Sequence, residues 1–415
     1  MSDSFDVVIA GGGVVGCAAA LALLKKTHLS VAVIESSPPK QSELHPSFDA
    51  RVIALAKQSL EYLNDWQFDM SGVDAQKIKK IHVSDRHHLG QTVLDAHDLG
   101  IDCLGQVVRL EQLGFSLYQQ INEIGKSAKG RLAYFTPEKI VQVKRLKTKV
   151  SLVTDKRKLD AKLLVIAEGA ASNTRQLLGL EQICEDYEQS AIIANVHTQL
   201  PHEGVAYERF TKYGPIALLP MFDSGDSASK NDYASNKSQR LMSLVWTTKT
   251  EYAQRIQALT EGEFLSELSS LFGSRLGRFE QASQRFTYPL SLKRVPQFAS
   301  HRCICIGNAA QNLHPIAGQG FNLGVRDIHQ LALILFDESQ FAASKDAGSF
   351  AISQAYKQMQ SEDKQRTIKA TDTLVRSFSN QYLPLVVGRN KALAILNTCS
   401  PLKARFARFA MGERA

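Results

Sequence analysis

The chain has 415 residues, of which 44% are hydrophobic and 22% are charged. This length exceeds that of one ordinary domain, about 100 to 200 residues, and predicts two or three domains with large cores. The contents of glycine and proline, 26 and 12 residues, exclude a collagen-like chain and a wholly disordered one. The formal net charge is +8, and the composition is typical of a soluble globular enzyme.

The N-terminal hydrophobic pattern predicts a strand, a helix and a second strand. Phe5–Ala10 is a short β-branched run that indicates a buried strand, Val15–Leu24 indicates a helix, and Ser30–Ile34 indicates another strand. The eighteen uncharged residues Val7–Leu24 are long enough to span a membrane as one helix. Four glycines within them would weaken that helix by about 1 kcal/mol each, so we expect a strand, a tight turn and a shorter helix instead.

The turn between the first strand and the helix carries a dinucleotide-binding fingerprint. Gly11, Gly13 and Gly16 form the pattern GxGxxG, and Glu35 follows the second strand, nineteen residues after Gly16. The first glycine permits a sharp turn, the second lets backbone amides approach a pyrophosphate, and the third lets the helix pack closely on the strand. The helix N-terminus favours the anion, and the carboxylate accepts hydrogen bonds from ribose hydroxyls. The alternative is a glycine-rich turn that binds no ligand.

Two later segments also place glycines directly after predicted buried strands. Leu163–Ala167 is an apolar run, followed by a Glu-Gly pair and by a helix that starts near Ser172. Cys303–Ile306 is another, followed by the glycine-rich stretch 307–322 and then by apolar residues at helical spacing. Glycines just before a helix let backbone amides face an anionic or electron-rich ligand. No second GxGxxG follows a strand, so the sequence predicts one bound dinucleotide.

The middle of the chain predicts a second, mainly antiparallel domain. Ser190–His197, Gly214–Met221 and Arg240–Thr247 show the alternation of half-buried strands. The serine-rich segment Ser224–Gln239 between two of them predicts an exposed hairpin loop. Trp246 either lines a substrate pocket or belongs to the core, the commoner position of a tryptophan.

Together these features resemble the single-component flavoprotein aromatic hydroxylases of the p-hydroxybenzoate hydroxylase type. The three motifs of that family occur in order, as Gly11–Gly16 with Glu35, Glu168–Arg175 (EGAASNTR) and Gly307–Asn322 (GNAAQNLHPIAGQGFN). The resemblance covers nearly the whole chain. It implies an α/β fold in which a Rossmann-like FAD-binding domain carries an inserted, mainly antiparallel β-sheet domain for the substrate.

Within this family the chain looks most like the ubiquinone-biosynthesis branch. The stretches Asp49–Ala56 (DARVIALA) and Pro384–Asn390 (PLVVGRN) and the spelling of the third motif carry that resemblance. It implies hydroxylation of a polyprenylated methoxyphenol, with NAD(P)H as the reductant of FAD and a C4a-hydroperoxyflavin as the oxygen donor. Two alternatives are a hydroxylase of another phenol and a scaffold subunit that keeps the fold. Glu168 and Asn308 replace the aspartates usual in the family's second and third motifs and leave room for the second alternative.

The resemblance also implies roles for individual residues. It assigns FAD contacts, from the pyrophosphate and adenosine ribose to the ribityl chain and the isoalloxazine ring, to Gly11, Gly13, Gly16, Glu35, Arg51, Gln106, Arg109, Gly307, Asn308, Gly318, Gln319, Gly320, Phe321 and Asn322. For Arg51 and Arg109 the alternative is a surface ion pair. The catalytic residue is not identified; His314 and Pro315 are candidates, and a structural role for His314 is an equal alternative. No metal is expected, because the six cysteines are scattered without CxxC or paired-histidine spacing.

The C-terminal segment is unusually basic. From Arg366 to the end, nine Lys and Arg residues stand against two acidic ones. In its last part Leu402, Phe406 and Phe409 recur at helical spacing, which indicates a helix that lies on lipid or one that packs on protein. We expect an anionic partner, either lipid head groups or an acidic protein, and no nucleic acid, because no nucleic-acid module accompanies the charge.

These patterns also predict the domain organisation and the compartment. The FAD-binding domain comprises 1–70, 100–182 and 290–365, the substrate domain comprises 71–99 and 183–289, and 366–415 forms a basic helical segment. The acidic start of the chain and its unpaired cysteines favour the cytoplasm, and the basic segment adds contact with the inner face of the membrane as an open alternative.

Overall fold

A computed structural model describes the chain in eight stretches. These are residues 3–37, 51–86, 88, 90–127, 130–222, 239–336, 346–378 and 383–413. The loop predicted at Ser224–Gln239 lies outside the described residues apart from Gln239, and so does the start of the Asp49–Ala56 stretch.

The described residues form strands and helices throughout. The strands are β1 (Asp3–Ala10), β2 (Val31–Ile34), β3 (Val52–Ala56), β4 (Ala75–Ile78), β5 (Lys80–Asp85), β6 (Gln91–Asp95), β7 (Gly105–Arg109), β8 (Leu132–Phe135), β9 (Ile140–Arg145), β10 (Val150–Thr154), β11 (Lys158–Ile166), β12 (Ile183–Thr198), β13 (Val205–Thr211), β14 (Gly214–Pro220), β15 (Leu241–Lys249), β16 (Phe279–Ala282), β17 (Phe286–Arg294), β18 (Ala299–Ser300), β19 (Cys303–Cys305) and β20 (Gln311–Asn312). The α-helices are α1 (Val14–Lys26), α2 (Lys57–Asp65), α3 (Leu110–Ser127), α4 (Asn173–Leu177), α5 (Thr250–Ala258), α6 (Glu261–Phe272), α7 (Gln319–Phe336), α8 (Phe350–Phe378), α9 (Leu383–Thr398) and α10 (Ser400–Ala410). Short 3₁₀ helices occupy His97–Leu99, Gly307–Ala309 and Ile316–Gly318.

The first sheet is a Rossmann-like parallel sheet. Its parallel strands lie in the order β8, β2, β1, β11 and β19, and β18, β10 and β9 extend it in antiparallel pairing. The chain crosses to the other side of β1 between β2 and β11, so the topological switch point lies between β1 and β11. In such sheets ligands bind at the carboxyl ends of the strands beside this point. The predicted strand, turn, helix and strand at the N-terminus are confirmed.

The second sheet is large and mainly antiparallel. Its main path runs β20, β17, β12, β15, β14, β13, β5 and β6, with β16 beside β12. The three strands predicted in the middle of the chain are confirmed as β12, β14 and β15. One face of the sheet carries α5 and α6 and encloses Trp246, which is fully buried against Tyr252 and Phe264. Trp246 is therefore a core residue.

A three-stranded sheet of β3, β7 and β4 adjoins the opposite face of the second sheet. Ala54 of β3 and Val107 of β7 share a hydrophobic cluster with Ala206 of β13 and Leu219 of β14. The face of the second sheet that α5 and α6 leave uncovered therefore packs toward β3 and β7.

The C-terminal helices pack on both halves of the structure. α8 contacts α7 and runs without a break across residue 366, where the sequence placed a boundary. α9 is fixed to β5, because the buried carboxylate of Asp85 accepts hydrogen bonds from Arg389 Nε at 2.8 Å and from Asn390 Nδ2 at 2.9 Å. In α10, Ala407 is buried and Phe406 packs beside it, while Leu402 is exposed. The domain boundaries stay a prediction.

In the described part of the chain, no helix has both the length and the apolar character needed to cross a bilayer. The uncharged stretch Val7–Leu24 divides between β1 and α1, as its glycines predicted.

Candidate active site

The loops after β1 and β11 touch each other at the switch point. Gly11 donates its N–H to the carbonyl of Ile34 at 2.8 Å, and Ala167 donates to the carbonyl of Ala10 at 2.8 Å. Gly11 has φ +100°, and a Cβ added there would lie 2.9 Å from the backbone of Ala167 and from Cα of Glu168. Only glycine fits this position. Because Gly11 lies directly against Ala167 and Glu168, the first and second motifs form one surface.

The N-terminus of α1 opens toward the same surface. Gly13 is its N-cap residue, no side chain caps the helix, and its first turn contains no acidic residue. The first N–H groups of a helix have no acceptor within the helix, and here they are available to an anion. A Cβ on Gly16 would overlap the carbonyl oxygen of Gly11, which explains the third glycine of the fingerprint.

Glu35 lies at the carboxyl end of β2, beside this turn. One of its carboxylate oxygens accepts the N–H of Gly12 at 2.6 Å, and the other accepts the N–H of Ser37 at 2.9 Å. These bonds hold the carboxylate next to the turn and leave lone pairs that can accept further hydrogen bonds.

The second motif is organised by the glutamate that replaces the usual aspartate. Glu168 accepts hydrogen bonds from Ser172 Oγ at 2.6 Å, from Thr174 Oγ1 at 2.7 Å and from Thr174 N–H at 2.8 Å. The longer side chain thus caps the first turn of α4. The guanidinium of Arg175 is buried and donates to the carbonyl of Ala170 at 3.1 Å. The motif forms a rigid loop against Gly11.

The third motif meets the first one through two glycines. Gly307 has φ +57°, and a Cβ there would lie 3.1 Å from Val15 Cγ1. A Cβ on Gly324 of α7 would lie 3.3 Å from Cα of Gly307. Gly307 is buried and the adjacent Asn308 is exposed. The three motifs, which lie far apart in the sequence, therefore converge at the carboxyl ends of β1, β11 and β19.

A buried ionic network fixes the third motif. Asp327 of α7 accepts the N–H of Gly307 at 3.0 Å and a side-chain N–H of Gln311 at 3.0 Å. Lys364 of α8 donates to Asp327 at 2.5 Å and to the amide oxygen of Gln311 at 2.6 Å. Burial lowers the pKa of Lys364, and Asp327 opposes that shift. Sequence reasoning missed this network, although charged residues inside an otherwise apolar helical pattern were a usable signal.

The N-terminus of α7 begins at the same loop. Gly318 has φ +61° and Gln319 is buried. A Cβ on Gly320 would meet no atom within 4 Å, so open space lies in front of the first turn of α7. Phe321 is partly buried and packs against the main core. Open space beside the N–H groups at the start of a helix suits a planar, electron-rich ligand.

Asn322 does not offer its side chain to a ligand. Its carbonyl oxygen accepts from Ala56 N–H at 2.9 Å and from Ser59 Oγ at 2.8 Å. Its amide nitrogen donates to the carbonyls of Ala54 at 2.9 Å and Gly318 at 2.8 Å. These four bonds use the full capacity of an asparagine, so the side chain ties α7 to β3. Only its backbone remains for the contact that the sequence predicted.

The three residues predicted outside the glycine motifs lie on or next to β3 and β7. Arg51 precedes β3, and its guanidinium carbon lies 5.6 Å from the ring centre of Tyr288 on β17. Gln106 and Arg109 are half-buried residues of β7 and pair with Leu55 and Val52 of β3. The structure thus brings them to the boundary between the two halves of the molecule.

His314 is engaged by protein at both ring nitrogens. Nδ1 accepts the N–H of Ile316 at 3.2 Å, so Nε2 carries the proton toward Gln189 Oε1 at 3.3 Å. Burial lowers the pKa of His314 to about 4, which keeps the ring neutral near pH 7. This geometry suits a structural residue that orders the loop through Pro315 to Gly318. A catalytic role for His314 or Pro315 stays a prediction.

The hydrogen-bonding groups of this site fit FAD in the positions that the family resemblance implies. The N–H groups at the start of α1, which no side chain caps, suit a pyrophosphate, and the carboxylate of Glu35 suits a ribose. The open space before the first turn of α7 suits an electron-rich ring. Among the described residues, no group of three or more His, Cys, Asp and Glu side chains could hold a metal ion. All six cysteines are free thiols.

Comparisons with known proteins agree with this geometry. Two profiles, each described as an FAD binding domain, match residues 6–71 and 140–347. The ubiquinone hydroxylase UbiL of Rhodospirillum rubrum is 31% identical over 98% of this chain and 89% of its own length. The 3-demethoxyubiquinol 3-hydroxylase of Escherichia coli is 26% identical over 98% of each chain.

A solved structure shares the fold. The p-nitrophenol 4-monooxygenase PnpA of Pseudomonas putida superposes with a TM-score of 0.72 at 17% identity, and the match covers 100% of both chains. The fold and the site thus define an FAD-dependent aromatic-ring monooxygenase. The chain belongs to the flavoprotein hydroxylase family that includes the ubiquinone-biosynthesis enzymes.

Proposed function

We propose that this enzyme hydroxylates the aromatic ring of a 2-polyprenyl-6-methoxyphenol in ubiquinone biosynthesis, with NAD(P)H as reductant and O2 as oxygen source. The observation that carries the proposal is similarity to ubiquinone hydroxylases along almost the entire chain, including 31% identity to UbiL over 98% of it. The convergence of three glycine-bearing loops on one surface supports the cofactor requirement.

Different residues of the chain would contact different parts of FAD. The N–H groups at the start of α1, with Gly11, Gly13 and Gly16, would hold the pyrophosphate, and Glu35 would bind the adenosine ribose. The ribityl chain would pass Gly307 and Asn308, and the ring would lie before Gly318 to Phe321. Bound FAD, once reduced, would supply an electrophilic oxygen atom derived from O2.

The rest of the site would exclude water and orient the substrate ring. The N-terminal amides of α7 would stabilise negative charge that develops on the cofactor ring. The face of the second sheet that packs toward β3 and β7, which carries Ala206, Phe210 and Leu219, would supply apolar surroundings. A dry pocket favours transfer of oxygen to the substrate over its loss as hydrogen peroxide.

We also propose that the enzyme binds an anionic membrane surface through α9 and α10. Val387 and Ile395 of α9 and Leu402 of α10 are large apolar side chains that are about half exposed. Lys391, Arg405, and Arg408 are exposed cations on the same two helices. A polyprenyl tail would hold the substrate in the bilayer, so the enzyme must approach the lipid surface to reach the ring.

Gene disruption followed by analysis of quinone precursors tests the pathway. A hydroxylase at this step should leave a polyprenylated methoxyphenol and deplete ubiquinone, and the native gene should restore it. Normal ubiquinone in the disrupted strain would contradict the pathway assignment.

Purified protein separates the remaining alternatives. A yellow protein that oxidises NAD(P)H and hydroxylates a different phenol would indicate another substrate within the same enzyme class. A colourless protein that cannot be reconstituted with FAD would indicate a scaffold subunit.

A further inference from the structure

Glu208 is a carboxyl group on the inner face of the second sheet. Side chains alternate along β13, so Ala206, Glu208 and Phe210 share one face. Ala206 belongs to the hydrophobic cluster that includes Ala54 of β3, and Phe210 belongs to the cluster that includes Ile316 of the third motif. Glu208 therefore lies between two contacts with the FAD-binding half.

The neighbouring residues on β13 confirm this orientation. Tyr207 packs edge-on against Phe272 of α6. Arg209 donates from Nε to the carbonyl of Leu271 at 3.3 Å, also in α6. These side chains point to the opposite face of the sheet, which α5 and α6 cover. Glu208 consequently points away from those helices and toward the side of the sheet where Ala54 and Ile316 pack.

Among the described residues, no group pairs with this carboxyl. Within the described stretches, Glu208 has neither a hydrogen bond nor an ion pair. Its strand neighbours are Ala217 of β14 and Val83 of β5, which carry no polar side-chain atoms. Glu208 is partly buried, and a carboxyl that loses part of its hydration without gaining a protein partner costs free energy. Such a group is a candidate for contact with a ligand or for a role in a reaction.

The electrostatic environment keeps Glu208 near its titration point. Burial raises its pKa to about 7, and no charged group contributes to the shift. Titratable groups on or beside the elements that share a hydrophobic cluster with this face include Arg51, Lys77, Asp85, Arg109, Tyr187, His314, Asp372 and Arg389. Asp85 and Arg389 pair with each other, and His314 is neutral because its pKa is about 4.

We propose that Glu208 is the catalytic base that accepts the phenolic proton of the substrate during ring hydroxylation. This inference rests on the proposed function, because it requires a phenol to bind between the second sheet and the third motif. It assigns the base that the sequence did not identify, and it leaves His314 as a structural residue.

The proton and electron balance is simple. A ring carbon would use a ring electron pair to bond to the hydroxyl oxygen that bound FAD would supply. The bond that held this oxygen to its donor would break, and its electron pair would stay on the cofactor side. The phenolic O–H bond breaks, its proton passes to Glu208, and its electrons form the carbonyl of a cyclohexadienone. The oxygenated carbon then releases its proton to water, the carbonyl oxygen recovers the proton of Glu208, and the product is a dihydroxylated ring.

The test compares wild type with Glu208→Gln and Glu208→Asp, using the short-chain probe 2-methoxy-6-prenylphenol. The Gln variant should fold, bind FAD and reduce it with NAD(P)H as wild type does. Its hydroxylation rate should fall about 100-fold or more, the usual contribution of a general base, with the reduced oxygen appearing as hydrogen peroxide. The Asp variant should recover part of the rate. Glu280→Gln, at an exposed position of the same sheet, is the matched control.

Two readouts separate a catalytic role from a structural one. The wild-type kcat/KM should rise with pH up to about 7 and then level off, and the Gln variant should lose this inflection. Infrared difference spectra of the FAD-loaded enzyme without substrate should show a carboxyl titrating near 7 that the Gln variant lacks.

The outcomes separate the two hypotheses. The role of Glu208 would be overturned if the Gln variant kept the wild-type rate and pH profile, or if its infrared spectrum still showed the carboxyl band. Either result would leave the proposed function intact. A wild-type enzyme that reduces FAD but never hydroxylates the probe would overturn both.

Discussion

The ammonium of Lys364 lies 2.5 Å from one carboxylate oxygen of Asp327, and the other oxygen accepts the N–H of Gly307 at 3.0 Å. This chain of bonds runs from α8 through α7 to the third motif. All three residues are buried. A helix that carries none of the residues predicted to contact FAD thus holds the turn that the cofactor would contact.

Removing the lysine should therefore affect both stability and FAD binding. Lys364→Met would leave the Asp327 carboxylate buried without its cation, which typically costs about 3–5 kcal/mol. We expect a clearly lower midpoint of denaturant unfolding and weaker FAD binding, measured by fluorescence titration of the apoprotein.

Lys357→Met is the matched control, since Lys357 is an exposed residue of the same helix. It should leave both quantities unchanged. Equal stability of the two variants would show that the buried pair contributes nothing.

Gly320 offers a test of the cofactor position that leaves the fold intact. It is the second residue of α7, and a Cβ there meets open space. Gly320→Ala should stabilise the apoprotein by about 0.5–1 kcal/mol through helix propensity. The added methyl should weaken FAD binding about tenfold, since overpacking costs about 1–3 kcal/mol.

Substitutions at two other glycines provide comparisons for Gly320→Ala. Gly262 is also the second residue of a helix with open space before it, and Gly262→Ala should leave FAD affinity unchanged. Gly11→Ala should reduce both stability and FAD binding, because its φ of +100° and its contact with Ala167 exclude a side chain. Unaltered FAD affinity in Gly320→Ala would place the ring elsewhere.

His314 should make stability depend on pH in acid. Its folded-state pKa of about 4 lies below the ordinary value of 6.5, so the unfolded chain binds the proton more readily. The contribution is complete above pH 6.5 and is lost as pH falls toward 4. Its full size is about 3 kcal/mol, at about 1.4 kcal/mol per pKa unit.

Urea unfolding of wild type and His314→Gln between pH 7.5 and 4 measures this contribution. The stability advantage of wild type should shrink with acidification. A difference that stays constant over this range would mean that the folded protein protonates His314 normally.

Local patterns in the sequence predicted the first βαβ unit and three strands of the second sheet correctly. Phe5–Ala10 and Ser30–Ile34 were recognisable as β1 and β2 because parallel strands buried on both faces read as nearly continuous apolar runs. The side-chain partners of Asn322 could not be predicted, since Ala56 and Ser59 lie far away in the sequence. The motif identified Asn322 as a site residue, but the contacts of its side chain become visible only in the folded structure.

The sequence also did not show which side chains of a strand face the site and which face the helices. On β13 both alternating sets contain aromatic and charged residues, so the pattern alone does not show whether Glu208 or Arg209 lies on the inner face. The same ambiguity applied to Trp246, which packs under α6. Only the position of α5 and α6 on one side of the sheet decides which set faces the site.

Membrane binding through α9 and α10 should combine charge and apolar contact. The full chain should sediment with vesicles that contain phosphatidylglycerol and much less with pure phosphatidylcholine, and added salt should weaken the interaction. Replacing Lys391, Arg405 and Arg408 by glutamate should abolish it, because each cation near an anionic surface contributes about 1 kcal/mol.

The apolar side chains should add a component that salt does not screen. Leu402 is 45% exposed and Ile395 is 52% exposed, so Leu402→Asp and Ile395→Asp should weaken vesicle binding at high salt without unfolding the protein. Reversal of Lys144, Lys147 and Lys156, exposed cations around β9 and β10, removes equal charge elsewhere and should have little effect. Equal losses from the two charge reversals would mean that net charge alone attracts the protein, and would contradict a docking surface at the C-terminal helices.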